Sequence, residues 1–261
     1  VGATVRGTPG GQDGLLLAHT DYLLSFPTTD FATHVGFADL LTDQDGGVRR
    51  YEITPRLNLA PELAEGAPRF ALGSLLAART AGVDLGANRW TIGGRSLVAG
   101  EVHNISYAGP PGTVPRVSLS RVLADDALND PSVQALRGKV VIIGGDFQGM
   151  NDVHSTPYSG RLAGADSTFM AGVEIQANIV ETLLSGRRTE PVPTWLRLLV
   201  FAGFIGLTTL WYRRHSPWTA LGVLAGAALA VLVLAFALFQ RFALLPAASV
   251  QIGLAAAYLL A

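Results

Sequence analysis

The 261-residue chain contains no cysteine. That excludes disulfide staples, thiolate metal sites and cysteine nucleophiles. It does not fix the compartment, because a domain of this size can bury an adequate core without covalent cross-links. A second absence is more informative. All 20 carboxylate side chains lie at or before Glu190, so the last 71 residues carry none. The formal net charge of −1 is therefore a sum of unlike parts. Residues 1–194 hold 15 basic and 20 acidic groups, whereas residues 195–261 hold only Arg197, Arg213, Arg214 and Arg241. A uniform soluble globule is excluded by this split. So is a nucleic-acid binder, because the polar part has no basic excess to meet phosphates. No nucleic-acid partner is expected.

Lysine is also scarce, at one against 18 arginines, which fits a GC-rich bacterial gene. The chain begins with Val1, shows no signal-peptide pattern and ends inside an apolar run, so it reads as a piece of a longer protein.

A mean hydropathy of +0.35 averages two regions. The polar region, residues 1–190, has ordinary soluble composition. In residues 191–261, three apolar segments follow in close order, at about 195–212, 218–239 and 242–261. A helix of roughly 20 residues crosses a hydrocarbon core of about 30 Å, so each segment reads as a transmembrane helix and the lipid bilayer as a partner. Trp195, Trp211, Tyr212 and Trp218 stand at segment ends, where amphipathic rings prefer the interface. The small residues Gly222, Ala225, Gly226 and Ala230 suit either close helix approach or plain lipid contact. Charge alone leaves the orientation open: Arg213 and Arg214 place their loop inside, while Arg187, Arg188 and Arg241 argue the reverse.

Within the polar region, residues 14–19 read as a short strand. Residues 31–41 and 48–54 read as a hairpin around Asp43-Gln44-Asp45-Gly46-Gly47, whose residues tolerate positive φ. Residues 68–80 have helical apolar spacing, and 89–98 and 102–107 read as further strands. Residues 140–143 (VVII), after Gly138-Lys139, read as a central strand buried on both sides. Residues 171–185 form an amphipathic helix, with Gly186 placed to end it. Strand, glycine loop and returning helix together predict a mixed α/β fold, a partly parallel sheet with flanking helices, ahead of three transmembrane helices.

Motifs that carry chemistry are weak. Gly144-Gly145-x-x-x-Gly149 lacks dinucleotide-loop spacing and a Walker lysine, so a strand-end turn is favoured over phosphate binding. Loops at such strand ends nonetheless often hold ligands, which makes Asp146, Asp152 and Thr156 candidates for a small-molecule pocket. Asp43-x-Asp45-Gly46 opens like a calcium loop, but the twelfth position is Thr54 rather than glutamate, and a turn is favoured. Asp152, His154 and Ser155 are too close in sequence for triad geometry, and no G-x-S-x-G elbow exists. The five histidines are scattered, so no metal site and no cofactor is expected.

The order of these elements resembles a known family, the type-two CHASE domain of bacterial transmembrane receptors. The residues that carry the resemblance are Gly36-Phe37, then Asp45-Gly46-x-x-Arg49-Arg50, then the stretch from Gly138 to Gly144. They continue with Asp152, Thr156-Pro157 and the run Gly172-Val173-Glu174-Ile175-Gln176-Ala177-Asn178 before the membrane segments. The resemblance implies an extracytoplasmic sensory domain, truncated at its N-terminal side, at the bacterial cell membrane. It also implies an unidentified small-molecule or physical stimulus, and a cytoplasmic nucleotide cyclase, kinase or diguanylate cyclase beyond Ala261. It settles the orientation, with residues 1–190 outside. Homodimerisation would suit such a device, and no catalysis is expected of this stretch itself. The alternatives are a membrane-anchored periplasmic hydrolase using Asp152 and His154, or a structural or transport-accessory subunit.

Overall fold

The computed structural model describes residues 2–7, 13–16, 31–55, 68–145, 151–159, 169–187, 190–241 and 243–260. The chain divides into two compact units, Val1–Arg187 and Arg188–Ala261.

The first unit is mixed α/β, with its sheet broken into small pieces. Strand β1 (Gly2–Gly7) pairs antiparallel with β2 (Asp13–Leu16) and parallel with β3 (Gly36–Phe37), which follows the short helix α1 (Phe31–His34). Strand β4 (Arg50–Glu52) pairs antiparallel with β7 (Val102–Asn104). Between them lie helix α2 (Leu72–Thr80) and the antiparallel hairpin of β5 (Arg89–Ile92) and β6 (Arg95–Val98). The expected strand over 89–98 is thus two strands, because Gly93 and Gly94 both take positive φ and turn the chain back. Likewise, the hairpin expected around Asp45 is confined to its tight turn. Thr42 bridges Val48, but β3 and β4 then join different partners. The strand expected over 14–19 is β2, and residues 17–19 lie outside the described set.

After β7 come α3 (Leu119–Val122) and α4 (Pro131–Gln134), the latter capped by Asp130, which accepts from Ser132 N at 2.8 Å. Residues 140–143 correct the sequence reading. They join no strand ladder, and Val141 and Ile143 are 50% and 78% exposed instead of buried on both faces. The pair β8 (Val153–His154) and β9 (Met170–Ala171) then leads into α5 (Gly172–Leu184).

Helix α5 lies at the centre of the core. Its Ile175, Ile179 and Leu183, at helical spacing, pack with Tyr51, Ile53, Leu75, Ile92, Leu97 and Ile105. Phe70 and Trp90 meet with ring centroids 4.9 Å apart.

The second unit starts with β10 (Glu190–Pro191). It continues through α6 (Thr194–Tyr212), α7 (Pro217–Phe239), β11 (Ala243–Leu244) and α8 (Ala247–Leu260). Helices α6 and α7, with 19 and 23 residues, are long and apolar enough to cross a membrane. The third expected span is not one long helix. Its first residues are used in β11, which pairs with β10, while Val192 N donates to Leu244 O at 3.0 Å. Pro246 holds the residue before it extended, so α8 begins at Ala247 and has 14 residues, about 21 Å. Val231, Val250 and Leu254 form the interior of this unit, and Trp195 and Trp218 point outward.

Candidate functional site

Asp45, Gly46 and Arg49 of the family motif lie on a charged turn of the first unit, and Gly172 and Asn178 on helix α5. The turn is built by local chemistry. Asp43 O accepts from Gly46 N and Gly47 O accepts from Asp43 N, both at 2.9 Å, and Gly46 sits at φ 80°. The Arg49 guanidinium forks onto Asp45 with two bonds of 2.8 Å and reaches Asp43 at 3.1 Å. Arg50 Nε donates to Asp43 at 2.8 Å and its Nη2 also contacts that carboxylate. The two aspartates that open like a calcium loop therefore face guanidinium groups.

Hydrogen bonds from Arg50 first and Arg49 second hold the Asp43 carboxyl below its ordinary range. The bidentate bond from Arg49 holds Asp45 at about 2. Both folded-state values are depressed, so the turn's stabilisation is present above the ordinary carboxyl pKa of about 3.9 and is lost as pH falls through the folded values. Titrating the Asp45 carboxyl carbon by NMR should give a midpoint near 2. In Arg49→Met the midpoint should return to about 4.

The turn is tied to the rest of the unit. Val48 N donates to Ser155 O at 2.8 Å, and Tyr107 Oη donates to Val48 O at 2.8 Å. Burial pushes the Tyr107 phenol above its ordinary value, which keeps it a donor.

The pocket candidates are placed as follows. Asp146 lies outside the described residues. Asp152 is exposed, and among the described residues the hydrogen-bond partner of its carboxylate is His154, whose Nε2 stands 2.8 Å from Asp152 Oδ1. The same carboxylate lies over the Cα of Gly172, so closely that any side chain at 172 would displace it. Asp152 O also accepts from Gly172 N at 3.0 Å. An acid thus stands beside the first turn of α5, where the helix dipole favours negative charge. Thr156 is buried, in a turn closed by Ser159 N onto Thr156 O at 2.9 Å and by Thr156 N onto Ser159 Oγ at 2.9 Å. Pro157 occupies that turn. Asp152 therefore braces the start of α5, whereas Thr156 closes a local turn. Among the described residues, no hydrogen bond joins Ser155 Oγ to His154.

The most elaborate feature includes Glu174 and Asn178 of the family motif, but the row they form with Thr182 was not read from sequence. Glu174, Asn178 and Thr182, one turn apart on α5, are all buried. Each side chain receives main-chain amides from the segment after β7. Thr182 Oγ1 accepts from Ser106 N at 3.0 Å and Asn178 Oδ1 from Ala108 N at 2.9 Å. Glu174 accepts from Gly112 N at 2.8 Å and Val114 N at 3.2 Å. A polar edge of the helix takes the place of a neighbouring strand. On an adjoining face, Gln176 accepts from Gly73 N at 3.0 Å and donates to Ala38 O at 2.9 Å. The i, i+4, i+8 spacing of Glu174, Asn178 and Thr182 was the available signal, but such a row ordinarily marks a solvated face.

At its other end, α5 meets the β5–β6 turn. Gly186, at φ 67°, packs directly on the backbone of Gly93, and Arg95 Nη1 donates to Arg187 O at 2.9 Å. The guanidinium suits the negative end of the helix. Among the described residues, no cluster of three or more His, Asp or Glu side chains could hold a metal ion.

Several of the described loops thus fasten on one helix, α5, and among the described residues no nucleophile, base and orienting group stand together. Residues 12–211 match the CHASE2 domain family, and the chain belongs to it. CHASE2 domains are extracytoplasmic sensory domains of signalling receptors. No curated protein and no solved structure matches the chain.

Proposed function

We propose that this chain is the sensory and membrane portion of a bacterial signal-transduction receptor. In this reading the Val1–Arg187 unit faces the periplasm or cell exterior, and the apolar helices anchor it in the cell membrane. They relay a stimulus to a cytoplasmic output domain such as a nucleotide cyclase, a kinase or a diguanylate cyclase. The observation that carries the reading is the wiring of α5. Its buried side chains hold the turns around Gly73, Ala108 and Gly112, and its C-terminal end is clamped by Gly93 and Arg95. A stimulus that rearranges any of those loops changes the free energy of one helix position against another, and the chain continues from that helix through residues 188–193 into α6. A homodimer would let such a shift alter how two output domains associate.

Deleting residues 14–185 from the full-length receptor is expected to abolish its response to stimulus while leaving it in the membrane. Output and response that stay unchanged under every condition would refute the proposal. Turnover of a substrate by the isolated domain, abolished by Asp152→Ala with His154→Ala, would instead favour a periplasmic hydrolase.

A further inference from the structure

The loop between α6 and α7 reads Arg213-Arg214-His215-Ser216, and all of these residues are exposed. Residues 191–261 contain no carboxylate side chain, so no acid in that stretch neutralises the paired arginines. The nearest acid in sequence, Glu190, precedes the other end of α6. That helix has 19 residues, and about 28 Å of it separates the two ends.

Aromatic rings gather at the same loop. His215 stacks on Trp211 with ring centroids 3.9 Å apart and planes 6° from parallel, and its Nδ1 donates to Trp211 O at 3.1 Å. Trp218, 83% exposed, stands in the first turn of α7. The fold adds a ring from a distant part of the sequence. Tyr258 of α8 meets Tyr212 edge-on, with centroids 5.5 Å apart, and its Oη donates to Pro217 O at 3.4 Å. Trp211, Tyr212, Trp218 and Tyr258 thus collect at one end of the apolar helices. In a bilayer such rings prefer the headgroup level, which sets both guanidinium groups at the depth of the lipid phosphates. A guanidinium meets a phosphate diester with two parallel hydrogen bonds.

We propose that the α6–α7 loop is a binding site for the headgroups of anionic phospholipids, with Arg213 and Arg214 holding the phosphate beside the Trp211–His215 stack. A zwitterionic lipid carries the same phosphate, but its own ammonium repels the two guanidinium groups. The site therefore selects lipids of net negative charge. Because Tyr258 fastens α8 to the start of α7, a headgroup on this loop bears on α8 as well. The proposal rests on the reading of α6 and α7 as membrane spans, and not on what the chain senses.

The test uses the full chain in phosphatidylcholine nanodiscs in which a minority of the lipid is brominated on its acyl chains. The brominated lipid is either phosphatidylglycerol or phosphatidylcholine, and bromine quenches tryptophan on contact. Trp90, buried in the core of the first unit, is shielded, and Trp195→Phe leaves Trp211 and Trp218 as the reporters. Each cation at an anionic surface is worth about fivefold in binding, so brominated phosphatidylglycerol is expected to quench these reporters at least threefold more than brominated phosphatidylcholine. Adding Arg213→Gln with Arg214→Gln, both on the exposed surface, is expected to remove the preference. Equal quenching by the two lipids, or a preference that survives the double substitution, would overturn the proposal while leaving the helices in the membrane. Loss of the preference when inorganic phosphate replaces chloride at equal ionic strength would overturn it in favour of a free-anion site. Quenching by neither lipid would remove the membrane reading and the proposal together.

Discussion

Asn178→Ala is expected to destabilise the Val1–Arg187 unit by about 2–3 kcal/mol. Asn178 is 1% exposed. Its Oδ1 is the acceptor for Ala108 N, and its Nδ2 donates to Glu174 O at 2.9 Å and contacts Met170 Sδ at 3.8 Å. Truncation removes the acceptor of the part-buried Ala108 amide and the donor to Glu174 O, and leaves a small void beside Met170. Losing the buried bond to Glu174 O and the part-buried one from Ala108 N costs about 1–2 kcal/mol together, and the void adds to that. For a unit of this size, that translates to a fall in melting temperature of about 5–10 °C. Thr182→Ser keeps the hydroxyl that accepts from Ser106 N and loses only a methyl, so about 1 kcal/mol or less is expected. Thermal melts followed by circular dichroism separate the two. Equal shifts would mean that the hydrogen bonds contribute nothing beyond volume.

This row of side chains also shows how far the sequence could be read. The apolar stripe of α5 was legible, because Ile175, Ile179 and Leu183 recur at helical spacing. The role of Glu174, Asn178 and Thr182 was not, because it depends on residues 106–114 lying along the helix, a pairing of segments some 60 to 76 positions apart. The charged turn was legible as a turn, since Asp43, Asp45, Gly46 and Arg49 are neighbours in sequence and need no distant partner. Residues 140–143 failed in the opposite direction. A β-branched run reports what its side chains can pack against, but pairing also needs a neighbouring strand, and among the described residues none pairs with it. The same distinction separates the first two apolar segments from the third. Hydropathy describes all three alike, whereas Pro246 and the β10–β11 pairing decide where the last helix can begin.

Gly186→Ala is expected to have a larger effect than the same change at Gly82, although both glycines have φ 67°. The shared backbone conformation costs an L-residue about 1–2 kcal/mol, and at Gly82 that is the whole cost, because no atom lies within 4 Å of a built Cβ. At Gly186 the new carbon would overlap the carbonyl oxygen of Gly93, a main-chain atom that cannot rotate away. The β5–β6 turn must therefore back off the end of α5, giving up the Arg95–Arg187 hydrogen bond and leaving a buried guanidinium that already has an unpaired Nε. A total of about 3–5 kcal/mol follows for Gly186→Ala. Hydrogen exchange should accelerate at the last amides of α5 in this variant and stay unchanged there in Gly82→Ala. The pair also tests the relay. If the helix end transmits the sensory state, the full-length receptor carrying Gly186→Ala will show altered basal output at temperatures where the domain is still folded, and Gly82→Ala will not. Matching outputs from the two variants would remove the clamp at Gly93 from the signalling path and leave it a purely structural contact.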